Sequence, residues 1–389
     1  MLYVGIDIAK RSHEATILDE TGSQLAPSLK FANTVEGVQA LLERVKGYEQ
    51  PVSFALEATG HYWLALYERL TSSGHAVAVF NPLQTDAYRK SFLRKAKTDK
   101  RDSWVIADLL RIGRGQATVI PDQQVLQLRE LARFRFSLID QIADLKRKVL
   151  SILDRVFPEY ERLFSDVFLK SSRAILAQAA TAEELAQFDL AELSALLGAA
   201  SRGRFGEAKA REVKSAAARS LGVSFLADAC QIELRCLLGH IELLESQVAL
   251  VDEHLARLLA GIPDGQHLLS MKGIGAALAA AILGEIGDVS RFAGPEKLVA
   301  YAGLDPSVYQ TGEFVAAEAR LSKRGSPYLR RALWLAAGMA RLSNPDLQAV
   351  YERKIAQGKH HNEAIAAVCH RLLNRVYIVL KQKRPYELR

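Results

Sequence analysis

Four carboxylates lie at positions where their side chains could bind a divalent cation. Asp7 and Glu57 each end a short apolar run that is typical of a β-strand, LYVGID and VSFALE. Strand ends are where an α/β sheet presents side chains to a cleft. A lone carboxylate after an apolar strand needs a partner for its charge, and Mg²⁺ prefers a few carboxylate oxygens together with water and phosphate.

Asp99 and Asp102 form a second pair of acids, in the sequence KTDKRD. If a helix begins here and continues to Ile112, the two side chains lie on one face of it. Two metal ions about 3.5–4 Å apart can stabilise the attacking and the leaving oxygen of a phosphodiester displacement, and they need carboxylates from different elements. The four acids together fit this requirement, whereas any one of them alone is more often a surface acid or a helix cap.

Basic residues are concentrated beside this Asp pair and again near the C-terminus. Seven Lys or Arg residues lie between positions 89 and 101. Residues 320–389 contain 15 Lys or Arg against 4 Asp or Glu, so the excess behind the net charge of +7 lies there. Clusters of this kind bind the phosphate backbone of nucleic acids, although a solvated surface would give the same pattern. The first cluster contains five candidate nucleic-acid ligands: Arg94, Lys95, Lys97, Lys100 and Arg101.

A glycine turn between two apolar segments, MKGIG at residues 271–275, predicts a helix-hairpin-helix. Gly273 and Gly275 would let backbone N–H groups at a helix N-terminus approach phosphate, with Lys272 beside them. Such contacts do not depend on base sequence, so the motif indicates nucleic acid in general. A short Gly-x-Gly turn can also be a plain connection between helices.

The elements that must position these residues predict an α/β region followed by all-α regions. Residues 1–120 have the pattern of three short strands (2–8, 14–18 and 29–32), then a helix (35–46), a strand (52–56), a helix (61–72) and a strand (76–80). Ribonuclease H-like domains share this order. Residues 121–264 contain two long helices, 123–156 and 226–259, around an Ala-rich helical insertion. This pattern indicates an arm or a dimerisation element, or ordinary intramolecular packing. Residues 265–389 are expected to be helical and basic.

Composition narrows the class of protein further. No run of about 18 apolar residues occurs, so no membrane span is expected. The N-terminus has the pattern of a first strand rather than a signal peptide. The three cysteines, Cys230, Cys236 and Cys369, form no CxxC pair, and we expect reduced core thiols in a cytoplasmic protein.

Several motifs resemble those of the DEDD transposases, the insertion-sequence one-hundred-ten (IS110) family, which includes the Piv-type DNA invertases. The N-terminal motifs are GIDIAK, LEATG and KTDKRD. The C-terminal motifs are KGIG (272–275), RFAG (291–294), YAGLDP (301–306), QTG (310–312) and SKRGSPYLRR (322–331). Together they touch most of the chain except roughly residues 160–260.

The resemblance implies a RuvC-like domain that holds Mg²⁺ or Mn²⁺ on the four carboxylates, and a C-terminal transposase domain that donates a serine nucleophile. It implies DNA as a partner, both element ends and target, and a structured bridge RNA as a guide. A bacterial, nucleoid-associated location in the cytoplasm is expected, and the long helices favour a homodimer or homotetramer. In the last motif, four basic residues are expected to contact phosphate or guide RNA: Lys323, Arg324, Arg330 and Arg331.

The sequence departs from the family pattern at the nucleophile. The family's serine corresponds here to Thr311, which keeps a hydroxyl but adds a β-methyl group that restricts rotation and crowds the attack. Thr311 could be the nucleophile, Ser307 or Ser322 could replace it, or no covalent link could form. The leading interpretation is a transposase or site-specific recombinase. The alternatives are an RNA-guided DNA nuclease that uses metal-activated water and a catalytically inactive nucleic-acid-binding relative.

Overall fold

The structure, a computed structural model, describes residues 1–92, 98–179, 181–305 and 321–387, together with the backbone of two short strands at 310–311 and 314–315. The chain divides into two compact units, Met1–Ile120 and Pro121–Arg389. In the described part of the chain, no helix combines the length and the apolar character needed to cross a membrane.

The N-terminal unit is an α/β domain whose predicted elements occur in the predicted order, with one further helix, Pro82–Lys90, that was not predicted. Its strands are β1 (Leu2–Asp7), β2 (Ser12–Leu18), β3 (Leu29–Ala32), β4 (Val52–Glu57) and β5 (Ala76–Phe80). Its helices are α1 (Val35–Lys46), α2 (Trp63–Ser72), α3 (Pro82–Lys90) and α4 (Asp99–Arg111). The expected helix at His61 begins two residues later, at Trp63, and the other predicted bounds are met within two residues.

The five strands form one mixed sheet in the order β3-β2-β1-β4-β5. β2 is antiparallel to both β1 and β3, whereas β4 is parallel to both β1 and β5. Apolar residues from one face of this sheet form a core with α1 and α2, and α4 packs on the opposite face. The central strand β1 therefore ends in the middle of the sheet edge. The antiparallel strands β2 and β3 lie on one side of it, and the parallel strands β4 and β5 lie on the other.

Gly5 fixes how closely α4 approaches this sheet. A Cβ atom at position 5 would lie 2.1 Å from the backbone nitrogen of Ala107 and 2.3 Å from the carbonyl oxygen of Ser103, so only glycine fits. A hydrogen bond of 2.8 Å between the hydroxyls of Thr16 and Ser103 joins the same helix to β2. These contacts set the position of the first turn of α4 relative to the end of β1.

The C-terminal unit is helical in its described residues apart from the two short strands. Its helices in the arm region are α5 (Gln123–Val156), α6 (Lys170–Gln178), α7 (Ala182–Gln187), α8 (Leu190–Ser201), α9 (Glu207–Ala217) and α10 (Ala227–Ala260). They are followed by α11 (Pro263–Leu269), α12 (Ala276–Ile286), α13 (Pro295–Tyr301), β6 (Gln310–Thr311), β7 (Phe314–Val315), α14 (Pro327–Ser343), α15 (Pro345–Ala356) and α16 (His361–Gln382).

The two long helices, α5 and α10, connect two hydrophobic cores. One half of the pair, including Val149 and Ile241, packs with α6–α9. The other half, including Leu128 and Leu255, packs with the helices from α11 onward. Since both long helices enter the C-terminal core, they anchor the arm to it. The domain boundary predicted between residues 264 and 265 stays a prediction.

The cysteines differ from the expectation at one position. Cys230 and Cys369 are buried, and burial raises the pKa of the Cys369 thiol to about 12. Cys236 is exposed on α10, so the expectation of a core thiol is wrong there. The residue faces outward because the apolar face of α10 runs through Cys230, Leu234 and Leu238.

Candidate carboxylate site and nucleic-acid-binding surfaces

Asp7 and Glu57 are neighbours at one edge of the sheet. They lie one residue beyond the pair Ile6 and Leu56, the last that joins the parallel strands β1 and β4. Residues two apart on a strand share a face, so the side chain of Asp7 lies on the same face as Gly5, which α4 covers. The two acids that the strand-end pattern predicted therefore lie beside α4.

The other two acids, Asp99 and Asp102, lie in the first turn of α4. Thr98 caps this helix, and its side-chain oxygen accepts a hydrogen bond from the backbone N–H of Arg101 at 3.3 Å. The positive end of the helix dipole favours carboxylates at these positions. The predicted start of the helix is confirmed, and the packing of Ser103 against Gly5 brings this turn towards the end of β1.

The electrostatics of Asp7 show that the four acids act on one another. Partial burial, followed by the negative charges of Asp102, Asp99 and Glu57, raises the pKa of Asp7 from 3.8 to about 7. Among the described residues, no three acidic, histidine or cysteine side chains are close enough to hold one metal ion. The structure therefore brings the four predicted acids within electrostatic range of each other, but not into ligating contact.

Hydrogen bonds hold two of these acids in place. Glu57 accepts from the hydroxyl of Thr59 at 2.7 Å and from that of Thr85 at 2.5 Å. Asp102 accepts from Nη1 of Arg89 at 2.9 Å, and Arg89 also bonds Asp86. Sequence reasoning missed these partners, although Thr59 belongs to the LEATG motif and Arg89 begins the basic run.

A fifth acid, Glu14, was also missed. It lies directly opposite Asp7 in the antiparallel pair of β1 and β2, so both side chains lie on the same face of the sheet. Its side chain is buried. The signal available in the sequence was an acid inside the apolar strand SHEATIL, where a charge needs a reason.

The basic residues beside α4 are only partly described. Arg94, Lys95 and Lys97 lie outside the described residues. Lys100 is exposed, and the guanidinium of Arg101 lies over the Phe92 ring at 5.6 Å from its centroid. The Nε atom of Arg101 is buried and has no hydrogen-bond partner among the described residues.

The two glycines of the MKGIG turn have different roles. Gly273 adopts a φ of +93°, and a Cβ atom there would lie 2.5 Å from the Cα of Ala340, so this glycine permits close packing against α14. Gly275, at the start of α12, has open space around it, and Lys272 is exposed. The open start of α12 is the part of the turn that a phosphate could approach.

Thr311 lies in a short strand pair. The backbone of Gln310–Thr311 pairs antiparallel with Phe314–Val315, with Thr311 opposite Phe314. Ser307 lies outside the described residues. The hydroxyl of Ser322 donates to the carboxylate of Asp305, and its backbone N–H donates to the Asp305 carbonyl at 2.9 Å. These two bonds join the ends of the segment that contains Thr311.

The basic residues after Ser322 divide into two pairs. Arg330 donates to the carbonyl of Ala302 at 3.1 Å, and Arg331 makes two hydrogen bonds of 2.7 Å to Asp140. Lys323 and Arg324 are exposed, and the structure gives neither side chain a partner among the described residues. Within the described part of the chain, Lys323 and Arg324 are therefore the members of the predicted patch whose charge is free.

Glu285 organises the start of α14, and sequence reasoning missed it. The residue is buried, and Arg133 binds its carboxylate through two hydrogen bonds of 2.6 and 3.1 Å. Ser326, the N-cap of α14, donates to the same carboxylate at 2.8 Å. An acid within the apolar segment AILGEI was the available signal, since a buried charge requires a partner.

Comparison with known proteins finds one family at both ends of the chain. A transposase model of the DEDD type from IS110 matches residues 4–158. A model described as the transposase IS116/IS110/IS902 family matches residues 265–352.

Full-length relatives support the same family. The chain is 26% identical to an uncharacterized 44.8 kDa protein of insertion element IS116 from Streptomyces clavuligerus, covering 99% of this chain and 96% of the relative. It is 27% identical to the transposase proposed for the IS117 mini-circle of Streptomyces coelicolor, with coverage of 99% and 95%. It is 24% identical to the pilin gene-inverting protein of Moraxella bovis, with coverage of 100% and 98%.

Proposed function

The chain belongs to the IS110 family of transposases and is a DNA transposase or recombinase, and from this we propose that it cleaves and rejoins DNA strands by a metal-dependent reaction with a hydroxyl nucleophile. The DNA substrates are the ends of its own element and a target site. The observation that carries the proposal is the gathering of acids at the end of the central strand: Asp7 and Glu57 end the adjacent strands β1 and β4, and α4, whose first turn contains Asp99 and Asp102, packs against Gly5 of β1. Acids gathered in this way are expected to need a cation.

The N-terminal unit is proposed to be a RuvC-like, ribonuclease H-like domain. Strand order β3-β2-β1-β4-β5, with an antiparallel hairpin on one side of β1 and parallel strands on the other, supports this assignment. So does the position of an acid at the end of each of the two central strands, Asp7 on β1 and Glu57 on β4. In the same way, the α11–α12 turn with its open Gly275 supports a helix-hairpin-helix that contacts the DNA backbone.

The residues present fit Mg²⁺ or Mn²⁺. The four side chains Asp7, Glu57, Asp99 and Asp102 offer oxygen ligands, and the ion pair of Arg89 with Asp102 offsets only part of their mutual repulsion. When bound, the cations would stabilise negative charge on the attacking and leaving oxygens of a phosphodiester. We assign the four acids as the ligands.

The remaining residues of the site position these ligands. Thr59 and Thr85 each donate to one oxygen of Glu57, which fixes the rotation of its carboxylate. Arg89 donates to Asp102 and offsets part of the charge of the cluster. The exposed Lys100 beside Asp99 is placed to bind a strand that passes over the acids.

Thr311 is proposed to be the nucleophile. Its hydroxyl oxygen attacks a scissile phosphorus and replaces one strand oxygen, which leaves with a proton as a free hydroxyl. Attack by a hydroxyl of a second strand on the threonine ester then rejoins DNA and restores Thr311. Ser322 is the weaker candidate because its hydroxyl already donates to Asp305, at the base of the segment that contains Thr311.

A second candidate function is cleavage by metal-activated water without a covalent link. Threonine at position 311, in place of the serine that family members resembling this chain use, favours it, since the β-methyl group hinders attack. The same family resemblance supports guidance by a bridge RNA, for which the free charges of Lys323 and Arg324 are candidate contacts.

A homodimer or homotetramer is proposed from the surface of α10. Apolar or small residues lie exposed along one side of this helix at spacings of four, three, four and seven: Ile232, Cys236, Gly239, Leu243 and Leu250. This spacing is that of a coiled-coil seam, in which a second copy of the helix buries the exposed side chains.

Strand cleavage tests the proposal directly. A plasmid carrying the gene with the DNA on either side of it is incubated with protein and the transcribed flanking RNA. Wild-type protein is expected to nick or cut the plasmid with Mg²⁺ and to lose activity in excess chelator, and Asp7→Ala or Glu57→Ala is expected to lower the rate by at least about a hundredfold. Asp19→Ala, which removes a partly exposed acid of the same unit outside the cluster, is the matched control. Full activity of Asp7→Ala, or of wild type in chelator, would rule out the metal assignment.

A further inference from the structure

The segment that follows α16 folds back and encloses a cavity of about 520 Å³ against that helix. Lys383 ends α16 in a left-handed conformation, with φ 50° and ψ 46°, which reverses the chain. Tyr386 then fixes the segment: its backbone N–H donates to Ser270 Oγ at 2.7 Å, and its hydroxyl accepts from Asn344 Nδ2 at 3.2 Å. Because these bonds tie the segment to two other elements, the cavity is a built feature of the unit.

The cavity carries uncompensated positive charge. Arg371 and Arg384 line it, and neither side chain has an ion pair or hydrogen bond among the described residues. Arg375 also lines it but is paired with Asp346 at 2.8 Å. The remaining acid of the lining is Glu387. Two free guanidinium groups against one carboxylate favour an anionic ligand.

The walls of the cavity offer apolar surface and a hydrogen-bonding edge. Ile378 is 48% exposed although it is a large apolar residue, and Val379, Pro385 and the Tyr386 ring lie beside it. Asn374 also lines the cavity, and its Oδ1 atom is buried without a hydrogen-bond partner in the described part of the chain. Because this atom is buried as the side chain stands, a ligand reaches it only when the Asn374 amide turns toward the cavity, and a donor placed there would remove the cost of the unpaired acceptor.

We propose that this cavity binds one unpaired nucleotide of a single-stranded nucleic acid, with its phosphate between Arg371 and Arg384, its base against Ile378 and Tyr386, and the base edge at Asn374. A nucleotide combines the anionic, planar and hydrogen-bonding character that these residues match. The volume lies within the range of about 300–1,000 Å³ that small-molecule sites occupy, and it is too small for a base-paired duplex. The inference rests on the proposed nucleic-acid function and adds to it a site for a base that is not paired.

Binding of labelled single strands tests the charge contribution. Fluorescence anisotropy is measured with single-stranded RNA and single-stranded DNA of about ten nucleotides, and with duplex DNA of the same length. Arg384→Gln is compared with Lys381→Gln, which removes one charge from the exposed end of α16 outside the cavity lining. Arg384→Gln is expected to weaken single-strand binding on the order of tenfold and to reduce the salt slope by about 0.7, with duplex binding unchanged. If Lys381→Gln has the same effect, the attraction is general and the cavity is not a site.

Asn374→Leu tests recognition of the base. The side chain has no hydrogen bond among the described residues, so leucine is expected to leave the melting temperature unchanged or raised. The variant is expected to lose most of the difference in affinity between homopolymer strands that wild type shows. Retained discrimination by Asn374→Leu would overturn the assignment of the base edge.

The two nucleic acids identify the source of the nucleotide. Tighter binding of RNA assigns the cavity to a guide, and tighter binding of DNA assigns it to an unpaired strand of the substrate. If wild-type protein binds neither single strand, or binds both only as tightly as duplex, the inference is wrong. That result would leave the Asp7-dependent cleavage of plasmid DNA untouched, so the two proposals fail separately.

Discussion

Asp7 determines how the N-terminal unit responds to pH when no cation is bound. Its folded-state pKa is about 7 and its unfolded value is 3.8, so between these values the folded state holds a proton that the unfolded state releases. The contribution of this group to the free energy of unfolding is therefore fully present below about pH 4 and falls as the pH rises towards 7. Burial of the Asp7 carboxyl group is the largest cause of the raised pKa, followed by repulsion from Asp102, Asp99 and Glu57.

Replacing Asp7 with asparagine is expected to remove this pH dependence. In chelator, the melting temperature of wild type should fall between pH 5 and pH 8, whereas Asp7→Asn should show a flatter profile and a higher melting temperature at pH 8, by about a few degrees. Asp19→Asn is the control, because hydrogen bonds from Thr21 hold the pKa of Asp19 below its usual value, outside this window. Parallel profiles for wild type and Asp7→Asn would mean that the acids do not interact as described.

At the scale of single residues, the sequence predicts the acids better than their partners. An acid that ends an apolar strand or starts a helix stands out from its neighbours, so Asp7, Glu57 and the Asp pair could be identified in advance. Thr85 could not, because its bond to Glu57 spans 28 positions and nothing in the pattern around it differs from an ordinary surface threonine. Hydrogen bonds between side chains far apart in sequence depend on how the elements pack, and the hydrophobic periodicity of a sequence carries no information about that packing.

Among the elements, α4 is the one whose placement decides whether the site exists. Its acids reach the end of β1 only because Gly5 lets the helix approach the strand. Gly5→Ala is expected to destabilise the N-terminal unit by about 2 kcal/mol or more, since backbone atoms of α4 must move, and to lower cleavage activity further by displacing Asp99 and Asp102.

The control for this prediction is Gly338→Ala on α14. Gly338 lies in a helix and an added Cβ meets nothing within 4 Å, so alanine should leave the free energy of unfolding unchanged or raise it by about 0.5–1 kcal/mol. Thermal melts and cleavage rates of both variants make the comparison. A Gly5→Ala protein as stable and as active as wild type would show that α4 does not depend on this contact.

Element bounds were predicted well where one face of a strand or helix is apolar, as in β3 and α1, whose ends match. The contact between α4 and β1 was not predicted, because a glycine inside a strand can equally mark a bulge or a weak position. In the same way, the MKGIG turn indicated a hairpin, but the packing of Gly273 against α14 required the tertiary structure. Close approach of two backbones has no periodic signature.

For the whole molecule, the exposed seam of α10 predicts self-association. Leu243→Glu combined with Leu250→Glu places two charges in this seam and is expected to shift the protein from oligomer to monomer in light scattering coupled to size exclusion. Leu221→Glu, which changes a large apolar residue that is 88% exposed outside α10, should leave the mass unchanged. A wild-type monomer, or an unchanged mass in the double variant, would contradict the proposed seam.

Periodicity predicted that residues 121–389 are helical, and composition predicted that residues 265–389 are basic, but neither indicated how the helices share two cores. Long apolar periodicity identified α5 and α10 without indicating that one half of each belongs to the arm and the other half to the C-terminal core. Charge counting likewise located the basic excess, yet Arg330 and Arg331 have partners within the protein, whereas the side chains of Lys323 and Arg324 have none among the residues that the structure describes. Counting cannot separate paired from free charges.

The covalent state of the protein after it cuts DNA tests the central claim most directly. Wild type, Thr311→Ala and Thr311→Ser are incubated with Mg²⁺ and the plasmid that carries the gene and its flanks, denatured, and analysed for protein linked to DNA, with the linked residue mapped by mass spectrometry. We expect an adduct at Thr311 in wild type, no adduct and no recombination in Thr311→Ala, and equal or greater yield in Thr311→Ser. An adduct at Ser322, or recombination by Thr311→Ala, would contradict the assignment of the nucleophile. Cut DNA with no adduct in any variant would contradict covalent recombination and favour cleavage by water.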